Sequence, residues 1–462
     1  MKKKRKLAVP HTYVLLLLMV VICALLTWIV PSGNFDRVED ATGRTVVVAG
    51  SYHHVDSPGL GFFDTMKEFI LGMESASDII FFIFILGGSI MIIRDTGALD
   101  AGVQALAKKM GKRSNLALII FIFLFSLMGG TIGMAEECIV FIPILMALCK
   151  QLKLDNMVAL AVVMVGARIG FTTGLINPFT LGIAQGISEL PLYSGLGYRL
   201  IWYAVILVFT VWYILRYANR IKKDPTLSIM YDESAAESEI HEEIIELTTR
   251  RKLVLVEFVA LLGVMVYGVF KFGWFMEEIA TLFLIMGILA GIIGGISPNG
   301  IARSFIAGAK DMTFAALVVG VAKAILLTLQ DGAIIDTVIF YASNLLGHLP
   351  KVIAANGMYV FQLLLNFLIP SGSGQAAATM PIMAPLADTL GITRQTAVLA
   401  FHYGDGFTNL IAPTLGSLMG CIAVSEVPFE KYLKWIMPLC GIWIVIGFVS
   451  VTVATLINYG PF

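Results

Sequence analysis

The sequence predicts an all-α polytopic membrane protein, and two observations carry this prediction. Hydrophobic residues make up 58% of the 462-residue chain, charged residues only 14%, and the mean hydropathy is +0.86, values outside those of water-soluble domains. Apolar runs such as residues 13–30 and 199–215 recur along the chain, and each approaches the roughly 20 residues that a helix needs to cross a bilayer. Because these runs are continuously apolar rather than alternating, they exclude a β-barrel.

Nine full crossings follow from the hydropathy pattern. They are predicted at residues 12–30, 78–93, 156–190 (interrupted), 198–216, 253–271, 278–297, 313–330, 394–425 (interrupted) and 435–457. Two further apolar regions, 114–151 and 351–389, are too long for one crossing, and the sequences "GGTIG" and "PSGSG" interrupt them. Because Gly and Pro clusters interrupt helices, each region is either two full spans or one re-entrant hairpin.

The distribution of basic residues supports a cytoplasmic amino terminus. With two hairpins, 23 of the 32 Lys and Arg residues lie on the side of the "MKKKRK" terminus and seven, including Arg199, lie on the other side, as the positive-inside rule requires. If each broken region is instead two full spans, the chain returns to the same side of the membrane and the basic residues keep their sides. The charge distribution therefore does not exclude two spans. The 14 residues before the first break are only about two-thirds of a crossing, which favours hairpins. We expect a multi-pass protein of a bacterial inner membrane.

The hydrophilic stretch 222–252 divides the chain into two similar halves. "GARIGFTTGLINPFTLG" (166–182) aligns with "HYGDGFTNLIAPTLG" (402–416), and the topology gives the two hairpins opposite orientations. Such an inverted repeat is common among secondary transporters, whose sites lie at the repeat interface. The predicted units are a first span and extracytoplasmic loop (1–77), a first repeat (78–217) with an inward-opening hairpin (114–151) and a broken helix (156–190), a cytoplasmic linker (218–252), scaffold spans (253–312), and a second repeat (313–462) with an outward-opening hairpin (351–389) and a broken helix (394–425).

The two broken helices are candidate ion sites. Pro178 lacks a backbone donor and Gly174 loosens the preceding turn, so nearby carbonyls are freed, and the segment from Thr408 to Pro413 repeats the pattern. Freed carbonyls and hydroxyls suit a dehydrated sodium ion, while the half-helix that follows directs its positive end at an anionic group. The alternative is a packing kink. The candidate ion ligands are Thr172, Thr173, Gly174, Thr408 and Pro413.

The hairpin tips and a few buried charges are the candidate substrate site. Small residues at the tips let a substrate approach the backbone closely, although they also suit tight packing between helices. Ionisable residues at this depth are costly unless they have a function. The candidate substrate-binding residues are Thr131, Gly133, Glu136, Glu137, Asn177, Thr180, Ser371, Gly372, Ser373, Gly374, Gln375, Asp405, Asn409 and Thr414.

The charge balance predicts the kind of solute. Glu136 and Glu137 point about 100° apart on a helix, so one is expected to face the site while the other pairs with Arg168 or caps a helix. Three carboxylates against one arginine suit a cation or a zwitterion better than a dianion, although Lys323 in a flanking span would shift this balance. His402 and Asp405 lie three residues apart on one helical face, as either a hydrogen-bonded core pair or a proton-sensitive gate. We expect the first role for His402 and the second for Asp405.

Other classes of function are disfavoured. Zero net charge argues against a nucleic-acid partner, and the spans contain no Ser–His, zinc or paired-aspartate signature of an enzyme. No cofactor is predicted, and the only coupling ions considered are sodium and the proton. The five cysteines fall in apolar segments without metal spacing and are expected to be small buried hydrophobic residues. They are Cys23, Cys138, Cys149, Cys421 and Cys440.

Four motifs together carry a resemblance to a known family. "GGTIGMAEE", "GFTTGLINP", "PSGSGQAA" and "GDGFTNLIAPT" resemble the YfcC branch of the anaerobic four-carbon-dicarboxylate carrier family, within the ion transporter superfamily. The resemblance covers essentially the whole chain. It implies a scaffold domain that dimerises, and a transport domain of two opposed hairpins and two broken helices that moves like an elevator.

The resemblance implies two substrate classes, dicarboxylates and amino acids in arginine–ornithine-type exchange. In dicarboxylate-carrying relatives the hairpin tips typically read Ser-Asn-Thr, and the different tips here disfavour a simple dicarboxylate assignment. We therefore expect a secondary active transporter of a small carboxylate-bearing metabolite, with amino acids preferred. The alternative is a sodium- or proton-coupled carrier of succinate-like dicarboxylates. The expected partners are this solute, the lipid bilayer and a second copy of the chain.

Overall fold

The computed structural model describes most of the chain. The described residues are 12–39, 45–56, 59–99, 101–102, 105, 114–131, 133–231, 246–272, 274 and 276–460. The basic amino terminus, which sets the predicted orientation, and residues 232–245 of the predicted linker lie outside this part.

The described residues are mainly helical. In the first half the helices are α1 (Thr12–Ile29), α2 (Phe62–Ser75), α3 (Ser77–Asp95), α4 (Ser114–Thr131), α5 (Cys138–Gln151), α6 (Asn156–Thr173), α7 (Ile183–Ile187, preceded by the π-helical Pro178–Gly182) and α8 (Leu196–Lys223). In the second half they are α9 (Thr249–Phe272), α10 (Met276–Gly294), α11 (Pro298–Asp311), α12 (Thr313–Asp331), α13 (Ile335–Leu346), α14 (Lys351–Leu365), α15 (Gly372–Thr389), α16 (Arg394–Thr408), α17 (Gly416–Val424) and α18 (Phe429–Leu456).

Six of these helices are long and apolar enough to cross a membrane. They are α3, α4, α6, α8, α10 from Glu277 onward, and α18, and a seventh span results if α11 and α12, bent by 41°, are counted together. The chain is therefore a multi-pass membrane protein. The figure of nine crossings stays a prediction. Both predicted broken helices are interrupted where expected, at residues 174–177 and 409–415.

The loop after α1 contains short strands, so the all-α prediction is wrong there. Gly33–Asn34 (β1) pairs with His53–His54 (β4), and Arg37–Glu39 (β2) pairs with Thr45–Val47 (β3), both antiparallel. Strands of two or three residues are too short to show the alternating pattern by which a strand is recognised in a sequence.

The first apolar region is interrupted later than predicted. Helix α4 continues through Gly129 and Gly130 to Thr131 and is 18 residues long, so the argument from a short first arm is wrong. These glycines let α4 pack closely on α6. A Cβ on Gly129 would lie 2.0 Å from the carbonyl oxygen of Ala167, and one on Gly170 would lie 1.7 Å from that of Ser126. Small residues at helix contacts in membranes commonly serve this purpose.

The predicted linker is also shorter than 218–252. Helix α8 continues to Lys223, and α9 begins at Thr249. Between them, the described part starts with a 3₁₀ turn, Pro225–Leu227, which Asp224 caps. The Ser228 hydroxyl then donates to Asp155 at 2.6 Å, which ties the start of the linker to the segment between α5 and α6.

The helices form two packed groups. Helices α1, α2, α3 and α9–α12 pack on one another, and we call them the outer bundle. Helices α4–α8, α14–α16 and α18 form the second group, the core bundle. Helix α17 packs on both α12 and α5 and so joins the groups, while α13 packs on α14, α15 and β1. All five cysteines are free and buried, as predicted.

The outer bundle contains a buried acid, Glu68, which is only 2% exposed. Burial, and next the neighbouring Asp331 carboxylate, raise the pKa of Glu68 to about 7 from 4.5, while Lys67 opposes the shift. Because the folded-state pKa is raised, the stability that Glu68 contributes is present at low pH and is lost between about pH 4.5 and 7.

Glu68→Gln should therefore stabilise the chain at high pH. We expect the free energy of unfolding to rise by about 1–2 kcal/mol near pH 8 and to change little near pH 5, after allowing for solvent screening. Thermal unfolding of the purified protein at the two pH values measures this. An equal effect at both would contradict the account.

Candidate functional site

A cavity of about 300 Å³ lies between the two bundles. On the core side it is lined by the segment between α4 and α5, the start of the π-helical turn before α7, the start of α15, and the break between α16 and α17. On the other side lie the junction of α2 and α3 and one face of α12. Both predicted hairpin tips and both interrupted helices therefore contribute residues to one cavity.

The structure brings eight of the predicted substrate-binding residues to this cavity. They are Gly133, Glu136, Thr180, Ser371, Gly372, Ser373, Asn409 and Thr414. The other six predicted residues do not line it. They are Thr131, Glu137, Asn177, Gly374, Gln375 and Asp405.

Most of those six have local structural partners. The Thr131 hydroxyl donates to the carbonyl of Leu127, and the side-chain amide of Gln375 donates to Gln362 at 2.7 Å. The Asn177 side chain accepts from the backbone N–H of Phe179 and so caps the helix before α7. Gly374 donates its N–H to the Ser371 hydroxyl, which caps α15.

Gly133 is the one tip residue whose backbone requires glycine. Its φ is +66°, and a Cβ would lie 2.7 Å from the Phe179 ring and 2.8 Å from Oδ1 of Asn177. The first tip is thus pressed against the first broken helix. Only a residue without a side chain fits this place with a left-handed backbone.

Gly133→Ala should therefore impair transport. We expect strain of about 1–2 kcal/mol from the backbone alone, with further displacement of the tip, and at least a tenfold loss of uptake. Gly186→Ala is the matched control, because a Cβ there meets nothing within 4 Å. Equal uptake by the two variants in proteoliposomes would show that the tip is not constrained as described.

Glu136 and Glu137 have different surroundings. The Glu137 carboxylate accepts from the backbone N–H of Ala135 at 2.9 Å and thus stabilises its own turn just before α5. Glu136 lines the cavity, and none of the described residues forms a hydrogen bond or ion pair with its side chain. The two neighbouring acids therefore have different surroundings, and Glu136 is the one on the cavity side.

Two cations line the cavity. Arg168 of α6 is 2% exposed, lies with its guanidinium 5.1 Å from the Phe171 ring centroid, and donates to the Ser417 hydroxyl at 2.6 Å. Lys323 of α12 lines the opposite wall, and its ammonium has no ion-pair partner among the described residues. The sequence placed Arg168 in the core region and Lys323 in a flanking span, and it assigned neither residue to the site.

Two helices begin at the cavity. The first residues of α15 and of α17 line it. The unpaired N–H groups and the dipole of a helix start favour a carboxylate. Together with Arg168 and Lys323, these helix starts give the cavity an anion-attracting region, whereas Glu136 supplies the opposite charge.

The first broken helix has its freed carbonyls occupied by protein donors. His402 donates from Nδ1 to the Thr172 carbonyl at 2.7 Å, and Arg199 donates from Nε to the Gly174 carbonyl at 2.7 Å. The Thr172 and Thr173 hydroxyls donate to the carbonyl of Ile169. The sequence grouped Arg199 with the external basic residues, but it is 2% exposed.

His402 is a hydrogen-bonded core residue, but its partner is not Asp405. Because its Nδ1 faces a carbonyl, Nδ1 carries the proton and Nε2 accepts from the Thr180 hydroxyl at 2.9 Å. His402 thereby joins the two halves of the first broken helix to α16. The predicted pairing with a neighbour three residues away fails because both ring nitrogens are already satisfied.

Asp405 lies directly behind the second hairpin tip. A Cβ on Gly372 would be 3.0 Å from its Oδ2, so only the glycine backbone separates the carboxylate from the cavity. Asp405 is 1% exposed, and neither carboxylate oxygen has a hydrogen-bond partner among the described residues, although Asn409 lies beside it. Oδ1 of the neighbouring Asn366 is also buried and unpartnered. Buried polar atoms without partners are uncommon and indicate a ligand or a strained site.

A polar, two-signed cavity between two helix bundles of a multi-pass helical protein is typical of a membrane transporter. The family model DcuC, the C4-dicarboxylate anaerobic carrier, matches residues 9–456, and the chain belongs to this family.

Relatives across the full length support the same class. The chain is 35% identical to the Escherichia coli protein named "Putative basic amino acid antiporter YfcC", over 99% of this chain and 98% of that protein. It is 29% identical to an uncharacterized Haemophilus influenzae protein, with 98% of each chain covered. The family is named as a carrier and the E. coli relative as an antiporter, and neither is named as an enzyme.

Two solved transporters are similar in structure. Neisseria gonorrhoeae MtrF, described with a class of antimetabolite efflux pumps, has a TM-score of 0.42 and 15% identity, with 98% of this chain and 96% of that chain covered. The Alcanivorax borkumensis YdaH transporter has a TM-score of 0.44 and 14% identity, with 98% and 100% covered.

Proposed function

We propose that this protein is a secondary active transporter that exchanges amino acids of the arginine–ornithine type. The observation that carries the proposal is the two-signed cavity. Arg168, Lys323 and two helix starts line it together with Glu136, and Asp405 lies behind Gly372. An α-carboxylate would bind the cationic region, and an α-ammonium would bind Glu136.

The basic side chain of such a solute also has a complementary group. Asp405 is buried and unpaired, and a cation reaching it past the Gly372 backbone would remove the cost of burying a lone carboxylate. The name of the E. coli relative, a basic amino acid antiporter, agrees with this proposal.

The second candidate is a sodium- or proton-coupled carrier of dicarboxylates. Arg168 and Lys323 both line the cavity, which is more positive than the sequence predicted, and the family is named for C4-dicarboxylates. A dianion would bind both cations, but it would also meet the unpaired Glu136. An additional cation, for example at Asp405, would have to offset that repulsion.

The proposed mechanism is elevator-like alternating access. The cavity lies where the core bundle meets α2, α3 and α12, so sliding of the core bundle past these helices would carry a bound solute across the membrane. The predicted inverted repeat, re-entrant hairpins, homodimeric scaffold, cytoplasmic amino terminus and inner-membrane location belong to the same proposal. The coupling ion, if one is used, is sodium or the proton.

Uptake by proteoliposomes tests the substrate. Labelled arginine, ornithine, citrulline and succinate are supplied separately, with the other compounds as unlabelled competitors. Into vesicles preloaded with unlabelled ornithine, we expect saturable arginine and ornithine uptake that succinate does not inhibit. Succinate uptake that arginine leaves unchanged would overturn the preference, and its dependence on sodium would establish the second candidate.

A further inference from the structure

We propose that Arg199 is a built-in cation at the first broken helix, so that only the second broken helix takes up an exchangeable cation, at Asp405. The proposal deepens the proposed function and rests on it only for the identity of the cation at Asp405. It assigns different roles to two breaks that the sequence treats as equivalent.

Arg199 is surrounded by neutral oxygens alone. Its Nε donates to the Gly174 carbonyl at 2.7 Å, and its Nη atoms donate to the carbonyls of Ser194 and Tyr193 at 2.6 and 3.1 Å and to the Tyr459 hydroxyl at 3.3 Å. No described carboxylate lies within ion-pair distance. A shell of carbonyl and hydroxyl oxygens around a buried positive charge is the coordination that an alkali ion would otherwise receive.

The charge is placed where a cation is favoured. Helix α6 ends at Thr173, and Gly174 is its left-handed cap. Arg199 therefore lies at the carboxyl end of α6, where the helix dipole and unpaired carbonyls attract positive charge. Because a guanidinium is always protonated and is tethered to α8, this cation stays in place throughout a transport cycle.

The second break has a neutral donor at the corresponding position. Arg199 is the fourth residue of α8, and Tyr432 is the fourth residue of α18. Tyr432 donates its hydroxyl to the Leu410 carbonyl at 2.8 Å, just as Arg199 donates to Gly174. The fourth residue of the helix that follows each broken helix thus donates a hydrogen bond to a carbonyl of the break. The donor is the charged Arg199 at the first break and the neutral Tyr432 at the second.

Among the described residues, the second break has a fully buried acid without a hydrogen-bond partner directly beside it. Asn366 supplies neutral donors to the Asp405 carbonyl and to the side chains of Thr408 and Asn409. Both carboxylate oxygens of Asp405, Oδ1 of Asn366 and the Thr414 hydroxyl remain buried without partners. The two unpartnered carboxylate oxygens, together with two unpartnered neutral oxygens on the segments that form this break and its neighbour α14, fit a cation. This cation is either an alkali ion or the basic group of the solute.

The test measures the unfolding temperature of the purified full-length protein as the concentration of one cation is raised. Choline replaces that cation to keep the ionic strength constant, and the number of cations that raise the unfolding temperature saturably is counted. In the wild type we expect a single such effect, from sodium or from ornithine, amounting to a few degrees and lost in Asp405→Asn. A response to sodium identifies an alkali ion there, and a response to ornithine alone identifies the solute. A wild type that responds to neither overturns the assignment at Asp405.

Arg199→Gln keeps a donor and removes the charge. We expect it to gain a saturable stabilisation by low concentrations of guanidinium, which persists when Asp405→Asn is added. Arg199→Lys should not gain it, and neither should the matched control Tyr432→Phe. Two results would overturn the proposal that Arg199 is a built-in cation. One is a saturable cation effect that remains in the Asp405→Asn single variant, and the other is the absence of a guanidinium effect in Arg199→Gln.

Two safeguards keep the outcome decisive. If Arg199→Gln does not fold, the wild type and Asp405→Asn still show how many exchangeable cations bind. Evidence for two exchangeable cations would overturn the proposal. Because no uptake is measured, failure of this inference is distinguishable from failure of the proposed substrate, which the proteoliposome assay tests separately.

Discussion

Arg168→Gln is expected to lower substrate uptake by about 100-fold or more, since losing a buried charged contact costs about 3 kcal/mol. Arg168 is the buried cation of the cavity, and among the described residues its guanidinium has only the neutral Ser417 hydroxyl as a hydrogen-bond partner. Its charge is therefore available to a substrate carboxylate. Initial uptake rates in proteoliposomes, normalised to the amount of folded protein, measure the effect.

Two control variants separate substrate binding from folding. Arg216→Gln removes an exposed arginine of α8 that lies over Trp212, away from the cavity, and should transport normally. Arg168→Lys keeps the charge but loses the two-pronged geometry of a guanidinium, so partial uptake is expected. If Arg168→Gln transports like Arg216→Gln, the carboxylate is not bound at Arg168.

Glu136→Gln should produce the second large effect, a selective loss of solutes that carry an ammonium group. Glu136 lines the cavity without a described partner, so its charge is available to the substrate. Removing a charged hydrogen bond of this kind costs roughly 1.5–3 kcal/mol, equivalent to about a 10- to 150-fold loss of affinity. Competition of unlabelled ornithine against labelled arginine gives this affinity.

Glu137→Gln is the matched control for that variant. Glu137 accepts one hydrogen bond from the Ala135 backbone, and the amide oxygen of glutamine can accept the same bond. We expect normal uptake. If Glu137→Gln lost transport while Glu136→Gln kept it, the roles of the two acids would be reversed.

The general architecture was predictable because it follows from composition and local breaks. The apolar runs gave the membrane class, and the Gly and Pro clusters located both broken helices within a few residues. The cavity-lining residues Gly133, Thr180, Ser371 and Asn409 could be singled out because small and polar residues interrupt apolar helices there. These signals are local, so one sequence is enough to read them.

The remaining features depend on contacts between distant segments. Gly129 looked like a helix break but serves as a close contact with α6, because glycine fits both situations. Arg199 looked external, yet it is buried through oxygens of residues 174, 193, 194 and 459. Lys323 was assigned to a flanking span, and only the packing of α12 brings it to the cavity. No pattern within a single segment shows these pairings.

The most direct test of the central claim, amino-acid exchange, is uptake of labelled arginine into proteoliposomes that are either empty or preloaded with ornithine. The account predicts rapid uptake only into preloaded vesicles, independent of a sodium gradient if the basic group of the solute is the cation at Asp405. It also predicts loss of this uptake in Arg168→Gln. Rapid sodium-driven succinate uptake into empty vesicles, with no exchange of arginine for ornithine, would contradict the account.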